Sequence, residues 1–234
     1  MLKTEPSADY PTEEGHYLRG NDFSPVAVAV VLIYDYDKIP KDIEELFRVG
    51  VESGAALSGT IQTENIGVEK MICNIIGNPN IRYLIVTGPE SPGHSTGDAI
   101  IALVKNGIDK RKKIVGTSAP TPYLFNLPEE FIERFRNQIV EVVNLLNRGT
   151  PDILRKAVWS CYQETATPFD NYSLYDVGAL PEEPVSARIT WRVTNPVFEP
   201  KDEDERRTKN AFLEKMEMIR KKAAEKAKKG GIKE

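Results

Sequence analysis

Ile81-Arg-Tyr-Leu-Ile-Val-Thr-Gly-Pro-Glu-Ser-Pro-Gly-His-Ser-Thr-Gly97 holds the turning point of the chain. Its first part, 81–87, is an apolar, β-branched run of the kind that fills a strand buried on both faces. Glycine and proline then break the run, and 97–106 follows as a helix with Ile100, Ile101 and Val104 on one side. Strand, glycine-bearing loop and helix form half of a βα unit, and open α/β sheets bind ligands beyond the carboxyl ends of their strands. His94, one of only two histidines in 234 residues, stands in that loop and is the best candidate for a ligand-binding or metal-axial side chain.

Working outward, residues 25–34, Pro-Val-Ala-Val-Ala-Val-Val-Leu-Ile-Tyr, read as a first central strand. A helix is predicted over about 40–52, with Ile43, Leu46 and Phe47 on its buried face, and a second strand over 55–62. Thr63 is placed to cap a helix carrying Val68, Met71, Ile72, Ile75 and Ile76, which Gly77-Asn-Pro-Asn80 stops. Residues 113–116 predict a short fourth strand, and Pro128 opens a long helix to about 147 with Phe131, Phe135, Ile139, Val142 and Leu146 inward. Another helix is expected over about 151–164, and the alternating run 187–193 predicts a strand at a sheet edge.

Alternating strands and helices imply right-handed crossovers. The expected fold class is α/β: a Rossmann-like, mostly parallel sheet with helices on both faces, plus a charged C-terminal helical tail. The domain organisation reads as an N-terminal arm over 1–22, an α/β domain over 23–165, an extended segment over 166–200 and the tail over 201–234. The tail has 12 Lys/Arg against 8 Asp/Glu and a thin apolar stripe at Phe212, Met216 and Ile219. It reads either as a frayed terminal helix or as a docking helix for a partner.

The formal charge of −4 gives no global argument for nucleic acid or an anionic membrane, so a solute or a protein partner is expected. Cys73 and Cys161 form no C-x-x-C pair, which fits a reducing cytoplasm. The first 25 residues carry no signal-peptide core, and no segment approaches the roughly 18 to 20 apolar residues of a membrane span. The dinucleotide and triphosphate glycine motifs, the G-x-S-x-G elbow, H-E-x-x-H and any Cys-His cluster are all absent, which weakens the usual dehydrogenase and hydrolase readings and leaves a zinc centre too few ligands.

Three loops then share one sheet edge: Thr63-Glu64-Asn65-Ile66-Gly67, 88–97 and 117–122. Gly67, Gly88, Gly93, Gly97, Ala119 and Pro120 leave room for a large flat ligand, and two helix starts offer N–H groups to anionic or carbonyl atoms. Glu64 and Asn65 read as partners for ligand amides or as ordinary helix-start residues. His94 reads as an axial ligand to a metal that brings its other ligands, as in a corrin ring, or as a side chain held by loop hydrogen bonds. His16, in the arm, reads as a surface residue.

Thr63-Glu-Asn-Ile-Gly-Val-Glu-Lys70, Ile75-Ile-Gly-Asn-Pro-Asn-Ile-Arg-Tyr-Leu-Ile85, Gly93-His-Ser-Thr-Gly97, Ala102-Leu-Val-Lys-Asn-Gly107 and 127–136 carry a family resemblance. As an ordered set, over roughly residues 15–165, they resemble the A subunit of tetrahydromethanopterin S-methyltransferase, the corrinoid-carrying component of that complex in methanogenic archaea. The resemblance implies a Rossmann-like domain that binds a cobamide with its cobalt, with His94 at the position of the lower axial ligand. It implies a carrier role, with a methyl group taken from methyl-tetrahydromethanopterin and passed to coenzyme M, and partner subunits presenting both substrates. Thr63, Glu64, Asn65, Gly67, Gly88, Gly93, Ser95, Gly97, Ala119 and Pro120 would then line the cofactor. Gain and loss of the His94 bond would report whether the carrier is loaded.

Several residues depart from related patterns. The other large corrinoid class uses D-x-H-x-x-G, and here Pro92 takes the acidic position, so Glu90, Ser95 or Asp98 is expected to orient the ring. Asp98 stands where the family more often has an uncharged amide, and Ser118-Ala-Pro-Thr121 departs from its glycine-rich loop. The family's hydrophobic C-terminal anchor is replaced by the charged tail, so a soluble homologue working with a methyltransferase partner protein is expected. The rival reading is a regulatory or binding module that kept the fold without the cofactor.

Overall fold

The computed structural model describes residues 1–33, 38–189, 202–211, 214, 215, 218 and 221. It divides into two compact units, Met1–Arg192 and Val193–Glu234.

In the first unit a short strand, β1 (Tyr17–Arg19), precedes β2 (Val26–Val31), α1 (Lys41–Glu52), β3 (Leu57–Ile61), α2 (Ile66–Ile76), β4 (Tyr83–Gly88) and α3 (Thr96–Asn106). After a long excursion come α4 (Glu129–Gln138), β5 (Glu141–Leu146), α5 (Pro151–Ser160) and the hairpin β6 (Thr167–Phe169) and β7 (Tyr172–Leu174). The five-stranded sheet has the order β1-β3-β2-β4-β5. Its last four strands are parallel, with Val28 level with Ser58 and Ile85, and Ile85 level with Val143, while β1 runs antiparallel to β3. This is the mostly parallel α/β sheet that the sequence predicts.

Alternation along β2 decides which helices it meets. Ala27, Ala29 and Val31 join Leu84 and Val86 under Val68 and Ile72 of α2, Ile100 and Leu103 of α3, and Phe135 of α4. Val28, Val30 and Leu32 join Ile85 and Val143 against Ile43, Leu46 and Phe47 of α1 and Leu154 and Val158 of α5. Small side chains therefore face the three-helix layer and larger ones the two-helix layer. With helices on both sides every residue of β2 and β4 is buried, and each large apolar side chain so placed contributes roughly 1.5–3 kcal/mol.

The expected long helix over 128–147 is instead α4 followed by β5. The spacing from Phe131 to Leu146 spans a break at Gln138, whose buried amide donates to the carbonyls of Ile75, Asn78 and Ile81 at 2.9, 2.8 and 3.0 Å. Beyond it the valine-rich run pairs with β4, burying Val143 and Leu145 on one face and Val142 on the other. The expected fourth strand at 113–116 forms only isolated bridges, Ile108 to Ile114 and Lys113 to Tyr123. Four residues with an exposed Val115 cannot fill a site buried on both faces, and β5 holds the place beside β4.

Residues 1–22 lie against the domain: Tyr10 is 3% exposed, and Glu13 and Asn74 exchange two hydrogen bonds at 2.7 and 3.3 Å. Residues 187–189 form no strand, and the rest of the predicted edge strand lies outside the described residues. In the second unit residues 203–211 are helical, with Asp202 accepting from the Glu205 amide at 2.8 Å. Phe212, Met216 and Ile219 lie outside the described residues.

Candidate functional site

The β3–α2 and β4–α3 loops leave strands that flank β2, and both helices lie on the same face of the sheet. This arrangement brings Glu64 and His94, 30 residues apart in sequence, within 2.8 Å through Glu64 Oε2 and His94 Nδ1. The carboxylate is fully buried, while the imidazole is 41% exposed. The other carboxylate oxygen, Oε1, accepts the Thr121 hydroxyl at 2.5 Å and the Thr121 amide at 3.1 Å. Loop 117–122, which the sequence places at this edge, therefore meets the other two through Glu64.

The electrostatics of the pair are consistent from both sides. The bond to Glu64 holds the His94 imidazole above its ordinary pKa against the opposing pull of partial burial. Burial alone would raise the Glu64 carboxyl, but the bonds from His94 and Thr121 outweigh it and leave the group below the usual carboxylate range. A neutral imidazole with Nδ1–H donated to a buried carboxylate presents Nε2 as an acceptor, the arrangement that metal-ligating histidines use. No hydrogen bond to His94 Nε2 occurs among the described residues.

Glu64 thus takes the orienting position that the sequence assigns to Glu90, Ser95 or Asp98. Glu90 accepts the amides of Ser91, Gly97 and Asp98 at 2.8, 3.0 and 2.8 Å and so caps α3. Asp98 accepts from the Thr117 hydroxyl at 2.7 Å and from the Ser118 amide and hydroxyl at 2.8 and 3.1 Å. Burial would raise the Asp98 carboxyl, and these donors bring it below its ordinary value. Ser95 adopts the left-handed conformation at φ 48° and makes no side-chain cap bond.

The expectation that two helix starts offer N–H groups to a ligand is corrected for the same reason. At α2 the Ile66 amide is taken by Asn65 Oδ1 at 2.7 Å and that of Gly67 by Thr63 Oγ1 at 2.9 Å. At α3 the Thr96 amide is taken by Ser91 Oγ at 3.2 Å, and the next two by Glu90. Thr63 and Asn65 thus serve as helix-start residues, and three carboxylates already stand at this edge, so it is not built as an anion cradle.

The glycines divide by role. Gly88 has φ +88°, and a Cβ there would lie 2.7 Å from the Val31 carbonyl. A Cβ on Gly97 would lie 2.5 Å from Leu146, and one on Gly67 would lie 3.0 Å from Thr63 Oγ1. Those three positions are glycine because the fold is tight there. Gly93, beside His94, has φ +84°, and a Cβ there would meet nothing within 4 Å. Ala119 is buried and Pro120 exposed on the third loop. His16 is half-buried just before β1, its ring centroid 4.9 Å from that of Phe47 in an edge-on arrangement.

Among the described residues no three His, Cys, Asp or Glu side chains gather in a metal-binding group. Cys73 and Cys161 are free and buried, and burial pushes both thiols up. Among the same residues no helix is long and apolar enough to cross a membrane.

A sequence model of the family of tetrahydromethanopterin S-methyltransferase A subunits matches residues 3–183. The chain is 40% identical over 173 residues to the tetrahydromethanopterin S-methyltransferase A subunit 1 of Methanothermobacter marburgensis, covering 74% of this chain and 68% of that protein. It is 37% identical over 191 residues to the A subunit 2 of Methanothermobacter thermautotrophicus, covering 81% and 92%. With the A subunit of Methanococcus aeolicus it shares 36% identity over 183 residues, or 78% and 68% of the two chains. A match of this extent, on a chain whose sheet edge joins His94 to a buried carboxylate, means that the protein belongs to the family of tetrahydromethanopterin S-methyltransferase A subunits.

Proposed function

We propose that this chain is a corrinoid carrier that accepts a methyl group, from methyl-tetrahydromethanopterin or a related donor, and passes it to a thiol such as coenzyme M. His94 is its lower axial cobalt ligand, and a methyltransferase partner protein presents the substrates. The observation that carries this reading is the 2.8 Å bond between His94 Nδ1 and the buried Glu64 carboxylate, which in the neutral imidazole leaves the Nε2 lone pair for a ligand. Family membership supports the methyl-transfer class.

The residues fit a cobamide on their own chemistry. Among the described residues a single imidazole, with no set of His, Cys, Asp or Glu converging beside it, suits a metal that would arrive with its own ligands. Open space at Gly93 suits a broad planar face, and helix starts already filled by side chains argue against a phosphate-led ligand. When bound, the cobamide supplies the metal centre that takes up and releases the methyl group. His94 would hold the cobalt, Glu64 would keep the Nδ1 proton on its own side, and Gly93, Ser95, Ala119 and Pro120 would shape the rim. Two buried free thiols are in keeping with a reducing cytoplasm.

The rival reading, a cofactor-free module, draws on Asp98 and the altered third loop. Those residues bond one another, so they do not count against a ligand. Incubation with hydroxycobamide followed by gel filtration tests the proposal. Co-elution of about one corrinoid per folded chain is expected, and folded protein that emerges colourless would refute it.

A further inference from the structure

We propose that Thr121 is a positioning residue for His94 and that it acts through Glu64. The inference rests on the reading of His94 as the ligand side chain and adds what holds its ring in place.

The last torsion of a glutamate is broad and roughly two-fold, so the lie of the Glu64 carboxylate plane depends on the donors around it, its own backbone amide among them. Thr121 supplies two of them to Oε1, hydroxyl and amide, at 2.5 and 3.1 Å, leaving Oε2 for His94 Nδ1 at 2.8 Å. All of this is enclosed: Glu64 is 0% and Thr121 8% exposed. Asn65 Nδ2 adds contacts to the Thr121 hydroxyl and carbonyl oxygens at 3.4 and 3.5 Å, which fix the threonine in turn.

The backbone around His94 places the residue, with the His94 and Ser95 amides both bonded to the Ser91 carbonyl at 3.1 and 2.9 Å, but does not by itself orient the ring. Gly93 has φ +84° with no neighbour within 4 Å of its Cβ position, and Ser95 sits in the left-handed region. The loop therefore leaves the ring direction to the Glu64 bond. Loop 117–122, by contrast, is fastened at both ends, to Asp98 through Thr117 and Ser118 and to Ile114 through the Pro122 carbonyl at 2.8 Å. Thr121 thus transmits the firmness of the third loop, through one carboxylate, to the imidazole. The Ser118-Ala-Pro-Thr121 stretch that departs from a glycine-rich loop supplies this anchor.

Thr121→Val keeps the shape and the amide but removes the hydroxyl, and Thr121→Ser restores it. The measurement is nuclear magnetic resonance of the cofactor-free full chain carrying heavy-nitrogen histidine, at alkaline pH where the imidazoles are neutral. His16 is identified with His16→Gln, which leaves His94 as the other signal. In the wild type the His94 Nδ1 proton should be slow to exchange and the Nδ1–H tautomer dominant.

In Thr121→Val that proton should exchange rapidly, and the ratio of Nε2–H to Nδ1–H should rise about tenfold. Thr121→Ser should return both to wild type. A His94 signal unmoved in Thr121→Val, or a serine variant no better than valine, overturns the proposal. If the methyl against the carboxylate prevents folding, Thr121→Ala removes the same hydroxyl without that contact and carries the same expectations. The readout needs no corrinoid. A Thr121 effect without cobamide retention removes the carrier reading alone, and cobamide retention with an unmoved ring removes this inference alone.

Discussion

His94 Nδ1 and Glu64 Oε2 lie 2.8 Å apart, an imidazole 41% exposed against a carboxylate with no exposure at all. The pair predicts its own pH dependence. His94 should titrate above the ordinary value of about 6.5 in the wild type and move back toward it in Glu64→Gln, read from its ring resonances. Because the folded value is raised, the stabilisation is fully present below the unfolded value and is lost as pH rises through the folded one. Unfolding of the two proteins should therefore differ most at mildly acidic pH, by no more than about 1 kcal/mol because solvent screens the half-exposed imidazole, and the difference should narrow as pH rises. Equal titration midpoints in the two proteins would show that the bond does not form in solution.

Glu69 makes the opposite prediction. Burial pushes its carboxyl up to about 7, with the amide and side chain of Asn126 donating to it at 2.8 Å each and pulling the other way. A carboxyl raised in the folded state costs nothing below its unfolded value and costs progressively more as pH rises to the folded one. Between pH 5 and 8 the wild type should lose about 3 kcal/mol relative to Glu69→Gln, measured by denaturant unfolding. Parallel stability profiles would rule this out.

Glu90 accepts the Gly97 and Asp98 amides at the start of α3 and the Ser91 amide in the loop before it, so Glu90→Ala leaves those donors to water. A loss of about 1–2 kcal/mol is expected, with the earliest amide exchange at residues 91–98. Uniform exchange along α3 would contradict the capping role.

Gly97→Ala places a methyl 2.5 Å from Leu146 and 3.0 Å from the Glu90 carboxylate. The Leu146 methyls and the Glu90 carboxylate are side-chain ends that must shift to admit it, at a cost of about 1 kcal/mol. Gly93→Ala meets no neighbour, so its cost is confined to backbone strain at φ +84°. Thermal unfolding of the pair should separate them, and a Gly97→Ala protein as stable as wild type would contradict the packing at the β5 end.

The first half of the sheet is readable in the sequence, because 25–34 and 81–87 are continuous β-branched runs and the helices between them show clear apolar stripes. The second half is harder for a physical reason. Ile139, Val142 and Leu146 keep a helical spacing across the change from α4 to β5, and only pairing with β4 makes them a strand. His94 stands out by rarity and by its place after a strand. Its partner does not, since Glu64 is 30 residues away and reaches it only because β3 and β4 flank β2. Thr121 can be placed at the same edge, but its bond to Glu64 depends on the path of the 107–127 excursion, which carries no regular pattern.

Electron paramagnetic resonance of the protein reconstituted with cobamide and reduced to the divalent cobalt state addresses the central claim most directly, comparing ordinary with heavy-nitrogen histidine labelling. An axial histidine predicts that the nitrogen splitting of the cobalt lines changes from triplets to doublets on labelling and disappears in His94→Ala. Splitting indifferent to the label would assign the axial position to the cofactor's own base and contradict the role given to His94.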